Sequence, residues 1–288
     1  MREKVKVTVV VENTASEEGM IPEHGICFWI ETGSTRVIFD TGQGGPALLN
    51  NARILKIPLE RAESVVLSHG HFDHTGGLKT VLQLSHNPKV YAHPATFQPK
   101  FACNEYGQSR SIGIPFMNEI SIRKLAGDVI FTIRPTQIAD GIFVTGEIPR
   151  ITEFEDTGGP FFLDDGCTKP DPFLDDQALF FESSKGMVVL LGCAHAGVIN
   201  TLLYIQQLTH GKPIHAVMGG MHLLSASRVR MNRTIEYLDR INPDLLGPAH
   251  CTGEAATAEL WDAFPQKCRP CHVGTSIEFD WGTIENKP

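Results

Sequence analysis

The stretch Ser64-Val65-Val66-Leu67-Ser68-His69-Gly70-His71-Phe72-Asp73-His74 decides how this chain is read. An apolar, β-branched run stops at a serine, and three imidazoles and a carboxylate follow within the six residues from His69 to His74. His69 and His71 are two apart, so an extended backbone sends both to one face. Asp73 and His74 fall where the chain turns away and are placed to serve a second ion. Mixed nitrogen and oxygen donors suit a borderline cation such as zinc, iron or manganese. Four ligand-type side chains at a strand end have no packing purpose, so a chance surface loop is the poorer reading.

Outward from this stretch, strand-like runs recur: VKVTVVV, ICFWIE, RVIFDTG, KVYAHP, QALFFES, GMVVLLGCAH, IHAVMGGMH, DLLGPAH and SIEFDW. Gly, Pro, Asn or Asp bounds each of them. The first few are joined by short turns such as Gly33-Ser34-Thr35, which read as antiparallel hairpins. Later strands end in Gly- and His-containing loops and pass into amphipathic runs. One carries Leu78, Val81 and Leu82, and another Val198, Ile199, Leu202, Leu203 and Ile205. Two more carry Ile235 with Leu238, and Leu260 with Trp261 and Phe264. The expectation is an α/β sandwich, sheets inside and helices outside, forming one domain over 1–288. Pro99, Gly107, Gly113 and Pro115 mark 95–131 as an irregular insertion or lid.

Composition narrows the class. With 42% apolar and 20% charged residues in 288, the chain is not largely disordered. Against 33 Asp and Glu stand 25 Lys and Arg, a net charge of −8, which argues against a nucleic-acid partner. No run approaches the ~20 apolar residues of a membrane span. The first residues lack the pattern of a signal peptide. These features lead to an expectation of a cytoplasmic protein with no membrane partner. Seven cysteines in this length make no disulfide scaffold. Cys268-Arg269-Pro270-Cys271 lacks the second CxxC of a structural zinc site. Cys193 and Cys251 flank histidines and read as reactive or simply buried.

His69-x-His71-x-Asp73-His74 resembles the HxHxDH signature of the metallo-β-lactamase superfamily, and the resemblance extends over nearly the whole chain. Phe39-Asp40-Thr41-Gly42 is similar to the family's early strand-end Asp, which orients the His loop. Pro248-Ala249-His250 is similar to its last metal-ligand His. The resemblance implies a four-layer αββα sandwich with a metal centre along one edge and a metal-activated hydroxide. His69, His71 and His195 would hold one divalent ion and Asp73, His74 and His250 the other, zinc first, with iron or manganese as alternatives.

The chain departs from the usual ligand order. Asp176, in Asp175-Asp176-Gln177-Ala178, precedes His195, in Gly192-Cys193-Ala194-His195-Ala196-Gly197, whereas the family usually places His before the bridging Asp. An imidazole nitrogen has one lone pair and does not bridge two ions as a carboxylate can. Three readings stay open: Asp176 bridges from the other strand, the ions share only hydroxide, or one ion is bound.

These blocks, with Gly219-Gly220-Met221-His222-Leu223 and His250-Cys251-Thr252-Gly253, resemble a subgroup described as metal-dependent hydrolases. Some of its members are named for a synthase activity that joins a dihydropterin. His222 is the candidate acid for the leaving group, with Asp73 beside the reacting centre and His24 at the rim. Arg110, Arg150 and Lys169 are candidate contacts for a phosphate or carboxylate of a small substrate. Phe101, Phe116, Phe154, Phe161, Phe162 and Phe173 suit a flat, pterin-like one. His93 suits an ordinary strand end, and His86, His210, His215 and His272 carry no expected role. The leading expectation is a hydrolase acting on an ester, lactone or phosphoryl centre. One alternative is a metal-dependent transferase joining a dihydropterin diphosphate to an arylamine. A second is a metal-containing sensor without turnover.

Overall fold

Lys4–Val11 alternates as a half-buried strand should, and Val5, Val7 and Val9 all turn into one core. The computed structural model describes residues 4–33 and 35–282, and Ser34 of the expected turn lies outside them. Lys4–Val11 pairs antiparallel with Cys27–Glu31 on one side and Ser276–Asp280 on the other. Arg36–Phe39, Ser64–Val66, Lys89–Ala92 and Asp128–Phe131 complete a seven-stranded sheet in that order. A six-stranded sheet runs Leu245–Ala249, Ile214–Gly220, Gly186–Leu191, Leu179–Ser183, Ile142–Val144, Thr136–Ala139.

The inner faces of the two sheets share a core that includes Phe28, Phe39, Leu179, Phe181 and Val188. Trp29, Ile38 and Val65 on the outer face of the first sheet pack with Leu48, Val81 and Ile122. Those three side chains come from the helices Gly45–Leu55, Leu78–Leu84 and Glu119–Leu125. Val189, Leu191 and Val217 do the same on the second sheet with Leu202, Leu238 and Leu260. These lie on the helices Val198–Leu208, Arg228–Ile241 and Glu254–Ala263. The result is the four-layer αββα sandwich. Among the described residues, no helix is long and apolar enough to cross a membrane.

Direction of the strands places the site. Arg36–Phe39, Ser64–Val66 and Lys89–Ala92 are mutually parallel, as are Gly186–Leu191, Ile214–Gly220 and Leu245–Ala249. Ligand sites in α/β sheets form beyond carboxyl ends of such strands. Here those ends carry Asp40, Ser68–His74, Gly192–Gly197, His222 and His250. Gly192 lets the two edges touch: a Cβ there would lie 2.1 Å from Ser68 Oγ and 2.9 Å from Asp40 Oδ2.

The 95–131 stretch is more ordered than expected. Phe101–Cys103 pairs with Ser109–Ser111 and with Phe161–Phe162, giving a small three-stranded sheet. Glu119–Leu125 begins with a reciprocal cap between Asn118 and Ser121 and returns Ile122 to the first sheet. Strands of two or three residues are too short for an alternating pattern to register in sequence. A disulfide joins Cys103 to Cys167, and Cys27, Cys193, Cys251, Cys268 and Cys271 are free and buried.

Candidate metal centre

Asp40 organises the first sheet's contribution. It sits in the left-handed region, φ 58°, at the end of Arg36–Phe39, with its carboxylate buried. Three donors converge on it: Ser68 N at 2.7 Å, Ser68 Oγ at 2.7 Å and His74 Nδ1 at 2.6 Å. A carboxylate only accepts, so the Ser68 hydroxyl proton is committed to Asp40. The Ser68 oxygen then accepts from His69 Nδ1–H at 2.9 Å. Both imidazoles therefore carry their proton on Nδ1 and turn Nε2 inward.

A buried ionic cluster backs the same loop. Gly70 N donates to Asp175 Oδ2 at 2.8 Å, and Lys100 Nζ donates to Asp175 Oδ1 at 2.9 Å and Asp171 Oδ2 at 2.7 Å. All three charged side chains are buried. Sequence reading missed this cluster, since a lone lysine in an insertion gives no sign that it will meet two acids some seventy residues on.

The second sheet supplies single residues on separate loops. His195 donates Nδ1–H to Thr157 O at 2.9 Å, which leaves its Nε2 free. Ala196 N on the same loop donates to Asp176 Oδ2 at 2.8 Å. His250 donates its main-chain N–H to Glu12 Oε1 at 2.7 Å and Nδ1–H to Asn13 Oδ1 at 2.9 Å. The His222 ring lies 4.2 Å from that of His195 and 6.1 Å from that of Phe161. Ala194, His222 and His250 all have positive φ, between 47° and 57°. Such backbone costs of order 1–3 kcal/mol per residue, and clusters where side chains must be aimed.

The inward atoms are those a cation would satisfy. His69 Nε2, His71 Nε2, His195 Nε2 and His250 Nε2 are buried without a hydrogen-bond partner. Burial holds His69, His71 and His195 well below the usual imidazole range, so their lone pairs are available. Burial works against ionisation of Asp73, but His74, His24 and His250 outweigh it and keep the carboxyl well below the ordinary carboxylate range. Asp73 Oδ2 lies 3.2 Å from His24 Nε2 and 3.2 Å from His250 Nε2.

Two tight groups of candidate ligand atoms result, each within 4.8 Å: Asp73, His74, Cys193 and His250, and His69, Cys193 and His195. The His71 ring stands 4.5 Å from His69 and 5.0 Å from His195, beside the second group. The donor set, the fixed tautomers and the orphaned nitrogens fit divalent metal ions.

Other expected residues fall in different places. Asp176 lies outside both groups, and burial pushes it up to about 7. His222 and His24 both line the cavity that opens onto the centre, about 1220 Å³ in volume, and so does Arg110. The Arg110 guanidinium lies 5.7 Å from the Phe72 ring centroid. Arg150 and Lys169 do not line that cavity. The Arg150 guanidinium donates to Glu155 O, and the Lys169 main chain closes a turn on Asp164. His93 is structural, its Nδ1 accepting from Ala95 N. His272 lines the cavity together with Arg269 and Trp261, and none of the three was expected to have a site role. Cys268 and Cys271 stand apart from the ligand groups among the described residues.

Comparison with known proteins identifies the family. A family model described as the metallo-beta-lactamase superfamily matches residues 21–161. A 7,8-dihydropterin-6-methyl-4-(beta-D-ribofuranosyl)-aminobenzene-5'-phosphate synthase of Methanocaldococcus jannaschii is 28% identical, over 96% of this chain and 97% of its own. A second protein of that organism, uncharacterized protein MJ0448, is 34% identical over 88% of this chain and 93% of its own. The solved structure of Tm1679, a metal-dependent hydrolase of the beta-lactamase superfamily, superposes with a TM-score of 0.80. It is 30% identical and covers 96% of this chain and 99% of its own. With this fold, this site and these relatives, the chain belongs to the metallo-β-lactamase superfamily.

Proposed function

We propose that the chain is a metal-dependent hydrolase of a small anionic substrate, working with two divalent ions. One observation carries the reading: four buried imidazoles, each with Nε2 unpartnered, converge with an ionised Asp73 beside an open cavity. Divalent ions, when bound, polarise an oxygen of the substrate and bring the pKa of water down towards ~7. His69, His71 and His195 would hold one ion, and Asp73, His74 and His250 the other.

The remaining residues orient and protonate. Asp73 Oδ2 lies 3.2 Å from His24 Nε2 at the cavity mouth, which holds that ring toward the centre. His222 presents a buried, unpartnered Nε2 to the cavity and is the group to protonate a departing oxygen. Phe161 packs against His71, His195 and His222 and keeps water from that side. Arg110 and Arg269 line the cavity, where their guanidinium groups suit a phosphate or carboxylate.

The 28% identical synthase supports a second reading, in which an arylamine replaces water as the acceptor. The aromatic lining of Phe72, Phe161 and Trp261 suits a flat pterin as well as it suits an apolar ester. One experiment separates the two. The chain is stripped with chelator, reloaded with zinc, and given lactone, phosphodiester and dihydropterin diphosphate substrates, the last with and without the ribofuranosylaminobenzene phosphate. The hydrolase reading expects cleavage that returns with zinc and is indifferent to the arylamine. Coupled product formed only with the arylamine, and no hydrolysis of any substrate, would replace it with the synthase reading.

A further inference from the structure

We infer that Cys193 supplies the ligand the two ions share, a sulfur in place of a bridging carboxylate. The inference rests on the reading of this site as a two-ion centre. Cys193 Sγ is the one atom common to both ligand groups, within 4.8 Å of every other candidate atom in each. It lies 3.1 Å from His74 Nε2, a nitrogen whose ring is anchored through Nδ1 to Asp40. The unpartnered Nε2 atoms of His69, His195 and His250 complete the two groups around it.

The position of this sulfur is fixed from both sides. Cys193 leaves the fully buried strand Gly186–Leu191 through Gly192, the residue pressed against Ser68 and Asp40. The carboxylates are placed otherwise. Asp73 belongs to one group only. Asp176 spends Oδ2 on Ala196 N, keeps Oδ1 buried and unpartnered, and belongs to neither. A thiolate sulfur carries more than one lone pair and can bind two cations at once, as an imidazole nitrogen cannot. Cys251 also lines the cavity but belongs to neither group, its Sγ lying 3.6 Å from Cys193 O. A soft donor at the shared position selects zinc, ferrous iron or cobalt over manganese or magnesium.

Cobalt(II) titration of the metal-stripped chain tests this, because a thiolate ligand gives a sulfur-to-cobalt charge-transfer absorption in the near ultraviolet. The wild type is expected to develop that absorption and to bind two cobalt ions per chain. Cys251→Ala is expected to keep it. Cys193→Asp is expected to lose it completely while still binding two ions, now including manganese. Cobalt bound by the wild type without the absorption, or absorption retained in Cys193→Asp or lost in Cys251→Ala, overturns the assignment and leaves the metal centre standing. A wild-type chain that binds no cobalt overturns the two-ion reading itself. If Cys193→Asp does not fold, the wild-type and Cys251→Ala spectra still decide.

Discussion

The two sheets bring unequal kinds of order to the centre. On the first, one carboxylate, Asp40, fixes His69 and His74 through side-chain hydrogen bonds of 2.6–2.9 Å, and Lys100 with Asp171 and Asp175 braces the loop from behind. On the second, His195 and His250 arrive on separate loops, each held by a partner distant in sequence, Thr157 O and Asn13 Oδ1. Their aim comes from main chain in the left-handed region at Ala194 and His250. The first half is a prefabricated loop, and the second is assembled by the fold. Damage to the first should therefore cost stability and metal binding together, while damage to the second should act on one ligand at a time.

The largest effect is expected at Lys100. Lys100→Met leaves Asp171 and Asp175 buried without their cation, and breaking such a pair costs about 3–5 kcal/mol. Urea unfolding should show it, and a loss below 1 kcal/mol would mean the cluster does not brace the loop. Next is Gly192→Ala, whose Cβ would meet Ser68 Oγ where the halves join. Overpacking of this sort costs about 1–3 kcal/mol, and here it should also weaken metal binding. An unchanged melting curve and metal content would show that the sheets have slack at this contact.

Asp40→Ala should lower metal affinity ~10 to 100-fold at both ions, as loss of an orienting partner does elsewhere. Asn13→Ala should fall near the lower end of that range and at one ion only. Equal losses in competition titrations would erase the distinction between the halves.

A last effect, read in the metal-stripped protein, concerns Asp176. Burial raises it to about 7, above the ~3.9 of an unfolded chain, so the folded state holds its proton more tightly. Its contribution is present in full below about pH 4 and is lost as pH rises through about 7. In the metal-stripped protein, Asp176→Asn should flatten that part of the stability–pH curve. A curve superposing on the wild type would return Asp176 to an ionised, ligand-like state.

The same asymmetry explains what could be read from the sequence. The first half was legible because its candidate ligands are contiguous: His69, His71, Asp73 and His74 occupy one strand end, and Asp40 ends the preceding parallel strand. The helices and long strands were legible because each buries a periodic face, as Leu78, Val81 and Leu82 do. The three-stranded sheet of the insertion was not, since none of its strands exceeds three residues. In the second half, position in the chain was a poor guide to position in space. Asp176 gives Oδ2 to Ala196 N and keeps a buried, unpartnered Oδ1, while Cys193 lies between the two groups. Arg269 and Trp261 gave no sign of a site role, because a cavity wall is made by several distant segments at once.

The central claim is that both halves converge on one two-ion centre, and metal stoichiometry tests it most directly. Elemental analysis after zinc loading and dialysis should give two ions per chain in the wild type, and fewer in His195→Ala and in His250→Ala. Hydrolytic turnover should fall in step with the metal lost. A wild type holding one ion or none, or two ions retained in both variants, would contradict it.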